Sequence, residues 1–412
     1  MDKRSFWLTL CFANLCIVAL LGFTLRSKIL FSLPGLDFRH FESAHSHFAF
    51  AGWVGLTLMT LAIFDILPQE RAQKKLYQWI LAGIEVSALG MVFTFPFFGY
   101  NAISIFFSTS YIAVACVFAV VFIKDLLKTS VDSNVKLLIV SAIGSLTLSF
   151  LGALGLVFIV ARVSTSSILY RDSVYTFLHF QYNGFFTLSI FALIFNYLYK
   201  KGISLGNDGK RFSLFLALSI VPTLFLALLW HNKTLFYVLA AIGCIFILLM
   251  LIHFFKMNKT IQSSQLFPPG FSRILFVFAM ASFAIKSILQ VGTIIPSLAN
   301  EVYGARPVII GFLHLVFLGF VTFFIHAVVI KKGYFTKNGK LITYPFYVFA
   351  TGVIANEGIL MLQGLGILFK TNSHTYQWFL WGAAIVLFVG ACLIAFARLS
   401  VIRYNRNMKG VK

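Results

Sequence analysis

Long apolar runs separated by short polar segments dominate the chain. Runs of membrane-spanning length occupy about 6–25, 45–67, 76–98, 104–123, 136–161, 174–199, 212–230, 234–255, 273–294, 307–330, 343–366 and 376–398, each near the ~20 residues a helix needs to cross the hydrocarbon core. The pattern predicts an all-α polytopic membrane protein with about twelve transmembrane helices. The longest polar connections, 200–211, 256–272 and 331–342, are short, basic and rich in Gly, Asn and Ser, as loops between helices are. A single transmembrane domain over 1–412 is therefore expected, with no separate soluble unit.

Composition agrees with that reading and charge orients it. The chain is 60% hydrophobic and only 11% charged, which excludes a soluble domain of this length. With the N-terminus inside, 24 of the 33 Lys and Arg fall on the inner side, eight in outer loops and Lys286 within a span. Basic residues are retained on the cytoplasmic side, so both termini are expected to be cytoplasmic, in a multi-pass protein of the cytoplasmic (inner) membrane. The net charge of +21 then reads as topology, with basic loops facing anionic lipid; nucleic acid is not an expected partner. The first run lacks a small-x-small cleavage site and is followed by Arg26-Ser27-Lys28, so it is expected to be a retained span. The five cysteines lie in apolar runs without Cys-x-x-Cys spacing and are expected to be small packing residues.

One motif recurs. His-x4-Gly-[Trp/Phe] appears as His47…Gly52-Trp53, His179…Gly184-Phe185 and His314…Gly319-Phe320, at intervals of 132 and 135 residues. Composition alone would supply about 0.1 copy, so a threefold internal repeat is implied. One copy per four helices gives repeat-like units of about 1–135, 136–272 and 273–412, and three four-helix arcs around a pseudo-threefold axis.

The motif histidines fall in the outer third of spans 2, 6 and 10, and His231 closes span 7 at the same depth. A histidine inside a span needs a partner, either as a ligand or proton carrier or as a core side chain satisfied by a hydroxyl or carbonyl; three equivalent copies favour the first. Neutral imidazole is a good axial ligand for haem iron. Gly52, Gly184 and Gly319 follow about one and a half turns later, where a missing side chain admits either a planar ring or a neighbouring helix. His45 and His47 lie about 200° apart on a helix, so one of them faces a given iron. His47 is the first choice and His45 the alternative. His179 and His231, with Tyr182 or Asn232, form a second candidate metal site. Two imidazoles need a third ligand or water, so weak or absent metal is expected there. Lys286 and Glu357 lie at matching depth in spans 9 and 11, which predicts a buried ion pair, or a proton-conducting site with Gln290 and Gln363 on the same path.

Twelve spans, termini inside and outer-side histidines on spans 2, 6, 7 and 10 together resemble subunit I of the haem-copper oxidase and nitric oxide reductase superfamily. The resemblance covers nearly the whole chain in architecture but only short segments in motif. It implies that His47 or His45 and His314 clamp one low-spin haem, b-type, and that His179 and His231 stand where copper ligands do. Phe312 occupies the position of the high-spin haem ligand, and Asn232 replaces the second histidine of the copper pair. The segment Ala44-His45-Ser46-His47-Phe48…Gly52-Trp53 is also similar to the His-x-His…Gly-Phe segment of the NnrS family of haem- and copper-containing membrane proteins. The expectation is a haem-binding membrane protein for electron transfer or nitric oxide and oxygen-related work, lacking the full catalytic ligand set. A respiratory or redox protein would be its partner, and any enzyme activity would be that of an oxidoreductase. The alternative is a transporter or channel using histidines as proton or metal relays. Pro96, Pro222 and Pro296 lie near span ends and give no sign of the paired broken helices that transport folds use.

Overall fold

The computed structural model describes residues 2–162, 168–299, 305–369, 371 and 373–410. Among the described residues twelve helices are long and apolar enough to cross a membrane. They are spans 1 to 12 in chain order: Lys3–Leu30, Phe38–Ile66, Lys75–Phe98, Ala102–Leu127, Ser133–Ile159, Ile168–Tyr199, Gly206–His231, Thr234–Ser263, Phe271–Gly292, Arg306–Lys331, Tyr344–Ile367 and Thr375–Met408. Most begin or end a few residues beyond the apolar run, because helix satisfies the backbone as well in the headgroup region as in hydrocarbon. Span 12 extends in this way past Arg398, Arg403 and Arg406 to Met408.

Spans 2, 6 and 10 meet at the centre. One phenylalanine from each forms a triangle of ring contacts: Phe50 to Phe317 at 4.6 Å, Phe186 to Phe317 at 5.4 Å and Phe50 to Phe186 at 5.7 Å between centroids. All three are buried, so the axis of the bundle is an aromatic core. Span 1 packs against spans 2 and 12, and consecutive pairs such as 3 with 4, 5 with 6 and 7 with 8 pack against one another.

The threefold motif has a backbone counterpart. Immediately after each motif histidine the α-helix widens into a π-helix, over Ala49–Gly55 in span 2, Phe180–Phe186 in span 6 and Leu315–Thr322 in span 10. The motif glycine lies inside each wide turn. Such segments are uncommon and concentrate at functional sites. They also re-aim the side chains that precede them relative to those that follow.

The opposite end of the bundle, called here the Asp65 end, is closed by charge. Asp65 at the end of span 2 is 3% exposed and takes Arg4 at 2.5 Å and Lys332 at 2.7 Å. Tyr197 donates to the same carboxylate and Lys200 to the Asp65 carbonyl. One carboxylate thus ties spans 1, 2 and 6 to the loop after span 10. That loop holds a two-stranded hairpin, β1 (Thr336–Lys337) with β2 (Lys340–Leu341), turned at Asn338-Gly339 with φ of 50° and 71°, the left-handed pair that tight hairpins require.

Candidate functional site

The histidine end of span 2 begins at the cap Asp37, whose side chain accepts the backbone N–H of His40. That bond holds the exposed Asp37 carboxyl below its ordinary range. From there the helix carries His45 and His47 to opposite faces. His45 points to span 1, where its Nδ1 lies 3.1 Å from the Val18 carbonyl and its ring lies against Gly22; a Cβ at Gly22 would stand 3.1 Å from the imidazole. His47 points to span 3, its Nδ1 2.8 Å from the Ser43 carbonyl and its ring centroid 4.6 Å from Phe95. Its Nε2 is 3.5 Å from the hydroxyl of Tyr100, a phenol that burial pushes above its ordinary range and so keeps protonated. A carbonyl can only accept, so Nδ1 carries the proton in both histidines and Nε2 keeps its lone pair. In His45 the Nε2 has no protein partner, and Nδ1–H to a backbone carbonyl with Nε2 free is the arrangement metal-bound histidines adopt; in His47 the Nε2 faces the Tyr100 hydroxyl.

His314 in span 10 has no hydrogen bond at either nitrogen, and its Nδ1 is buried. It lies within electrostatic reach of His45 and of Arg26 at the end of span 1. His45 feels Arg26 as well. His45, His314 and Arg26 are thus within electrostatic reach of one another, with Glu357 of span 11 also within reach of Arg26. Neither imidazole is fully covered, and in Arg306–His314 no residue is fully buried, whereas nearly every residue from Val316 to Ile330 is. The histidine end is loosely covered, in contrast to the tight core beside it. Glu42 and Arg306 bridge spans 2 and 10 across it at 2.5 Å.

The three motif glycines are packed by protein. A Cβ on Gly184 would strike the side chain of Ser145 in span 5, and one on Gly319 would stand 2.7 Å from Ser282 Oγ in span 9. At Gly52 it would stand 2.6 Å from the Phe48 ring, while the Gly52 carbonyl accepts from Asn14 of span 1 at 2.8 Å. Gly184 and Gly319 are therefore each approached by a serine of the span that precedes their own, whereas Gly52 is packed by Phe48 of its own span.

His179 is placed differently. Its Nε2 donates to the Ile220 carbonyl at 2.7 Å and its Nδ1 is 3.1 Å from Asn183 Nδ2. Ile220 is available because span 7 tightens to a 3₁₀ turn after Pro222, so the N–H of Leu224 bonds Val221 and Pro222 instead. Asn183 Oδ1 in turn accepts from Lys286 at 2.6 Å. Both His179 nitrogens are thus engaged within the protein. His231 is held elsewhere, 2.9 and 3.1 Å from the two Asp172 oxygens and 3.9 Å from the Trp230 ring. The proposed His179–His231 pair shares no partner.

The expected Lys286–Glu357 ion pair does not form. Lys286, 3% exposed, binds Asn183, and Glu357 accepts from its neighbour Asn356 at 2.9 Å. Matching positions along two helices do not fix the direction in which each side chain leaves its helix. Lys286 faces a cavity of about 10 Å³ among spans 6 to 9, lined by Asn183, Ser219, Thr223, Ser287 and Gln290, room for about one water.

Three further polar residues escaped the sequence. Glu85 of span 3 is 5% exposed; Asn14 donates to its Oε2 at 2.7 Å while Oε1 has no partner. Asn183 stands four residues after His179, a position its counterparts fill with Ala51 and Leu318, and that difference is the signal that could have flagged it. Arg26 was counted only as a topological charge. Among the described residues no three His, Cys, Asp or Glu side chains converge as a metal-binding group. No protein-family model matches the chain, and no curated protein matches it.

Proposed function

We propose that the loosely covered histidine end holds one low-spin b-type haem between His45 and His314, in a bundle of three four-helix arcs with both termini cytoplasmic. The protein would then be a haem-binding component of the cytoplasmic membrane with an oxidase-like architecture, serving electron transfer or a response to nitric oxide or oxygen. The observation that carries this reading is the pair of imidazoles: one with Nδ1–H tied to the Val18 carbonyl and Nε2 free, the other with no hydrogen bond at all. An unpartnered buried imidazole nitrogen is costly unless something else binds the ring. When bound, a haem would supply one-electron chemistry through its iron.

The chain's own contribution is positional. Val18 fixes the His45 tautomer, Gly22 leaves room for the ring, and Arg26 places positive charge beside both histidines, suited to an anionic group at the histidine end. A redox protein is the expected partner. A catalytic haem-copper centre receives no support from His179, whose nitrogens are both occupied, nor from Phe312, which cannot ligate. The second reading, transport through a histidine relay, draws on the chain Lys286–Asn183–His179. An amide in the middle of that chain can donate and accept but does not carry a proton onward, so the chain favours a static network.

The experiment is a haemochrome assay and reduced-minus-oxidised spectrum of protein purified from haem-replete cells. The reading expects about one b-type haem per chain with a sharp reduced band. Protein that is folded, colourless and indifferent to added haemin would overturn it.

A further inference from the structure

Five cysteines are dispersed over four spans, and two of them meet. Cys16 Sγ in span 1 and Cys392 Sγ in span 12 are 3.0 Å apart, although 376 residues separate them in sequence. Both lie within apolar runs: Cys16 is 13 residues from Lys3 and 14 from Leu30, and Cys392 is 17 from Thr375 and six before Arg398. Their register is pinned from both sides. Trp381 Nε1 donates to Ser27 Oγ at 3.0 Å, and each of these residues lies eleven positions from its cysteine (27 − 16; 392 − 381). Towards the other end Arg398 Nε donates to Thr9 Oγ1 at 3.1 Å, and its Nη2 donates to Ser5. Phe23 stacks on Phe388 between the outer tie and the cysteines, at 6.0 Å and 3°. A disulfide needs its sulfurs at about 2.05 Å, a closure of about 1 Å.

The seam is open to lipid. Both cysteines are half-buried, and the residues one turn further on the same faces, Leu20 and Phe396, are 44% and 68% exposed. The remaining thiols are separate: Cys11 is fully buried, Cys116 is exposed on span 4 and Cys244 is buried in span 8.

We propose that Cys16 and Cys392 form a redox-active dithiol within the hydrocarbon core, oxidised by a lipid-soluble quinone to a disulfide that joins the first span to the last. Each S–H bond breaks and one S–S bond forms. The two electrons and two protons pass to the quinone, which leaves as the quinol. Water-soluble oxidants reach this depth poorly, so selectivity for a lipid-dissolved two-electron acceptor follows from position. The proposal stands independently of haem binding.

The test uses the full chain in lipid nanodiscs treated with duroquinone, whose fully methylated ring cannot add to thiols. Peptide mapping after alkylation should recover Cys16 linked to Cys392 with a loss of two hydrogens. The link should be reversed by a phosphine reductant and absent in Cys16→Ser and Cys392→Ser. Cys116 should remain alkylatable throughout. Separate alkylation of Cys16 and Cys392 after full quinone exposure would overturn the proposal. So would equal thiol loss in wild type and Cys16→Ser, or capture of copper(I) by the two thiols in place of oxidation.

Discussion

Lys286 of span 9 donates to Asn183 Oδ1 of span 6 at 2.6 Å. That amide turns its other end to His179 Nδ1 at 3.1 Å, so one neutral side chain satisfies an amine from one helix and an imidazole from another. No carboxylate is needed. A buried amine paired only with an amide is a weaker arrangement than an ion pair, and it makes Asn183 indispensable to both neighbours.

Asn183→Leu should therefore lower stability by about 2–3 kcal/mol, the cost of stranding a buried charge-capable donor. Asn183→Asp should retain folding by giving Lys286 an anionic partner. The double reversal of Lys286→Glu with Glu357→Lys should fare no better than either single change, since the two residues do not pair. Detergent-solubilised thermal melts of the five variants decide this; rescue by the double reversal would contradict it.

The spans were legible because crossing a bilayer imposes length and apolarity on every helix. The run predicted over 45–67 became Phe38–Ile66 and that over 376–398 became Thr375–Met408, with the added turns in polar sequence. The histidine motif was legible as a repeat, but its structural meaning was not. Helical spacing assumes 3.6 residues per turn, and each motif lies against a π-helical segment where that spacing fails. Azimuth was the other missing quantity. It separated His45 from His47 as expected from their spacing, but only packing shows that His45 faces Val18 and His47 faces Phe95. The pairing of Lys286 and of Cys16 was invisible for the same reason.

The contact of Gly319 with Ser282 carries its own test. Gly319→Ala would bring a methyl to 2.7 Å from Ser282 Oγ, an overpacking that costs about 1–3 kcal/mol. Ser282→Gly should recover most of that loss when combined with Gly319→Ala, and the pair Gly184→Ala with Ser145→Gly should behave alike. Additive losses in the double variants, read from melting temperatures, would mean that the glycines serve something other than this close approach.

Lys332 lies outside the spans beside Asp65. Burial pulls its amine down to about 8 from an ordinary 10.5, outrunning the attraction of the Asp65 carboxylate. The folded chain thus binds fewer protons at this site than the unfolded chain between those values, so its contribution to stability rises as pH climbs from about 8 to 10.5. Pulsed reductive methylation read by mass spectrometry should show Lys332 half-reactive near pH 8. Asp65→Asn should move that midpoint lower still. A midpoint at the ordinary lysine value would contradict the burial.

The haem reading is tested most directly by the low-spin signal of three single variants. The optical and electron paramagnetic resonance spectra of purified His45→Ala, His314→Ala and His47→Ala, each checked for folding by circular dichroism, separate the two faces of span 2. The account predicts that the bis-histidine low-spin signal is lost in His45→Ala and His314→Ala and survives in His47→Ala, whose imidazole faces Phe95 and Tyr100. Survival of the signal in His45→Ala, or its loss in His47→Ala alone, would contradict it.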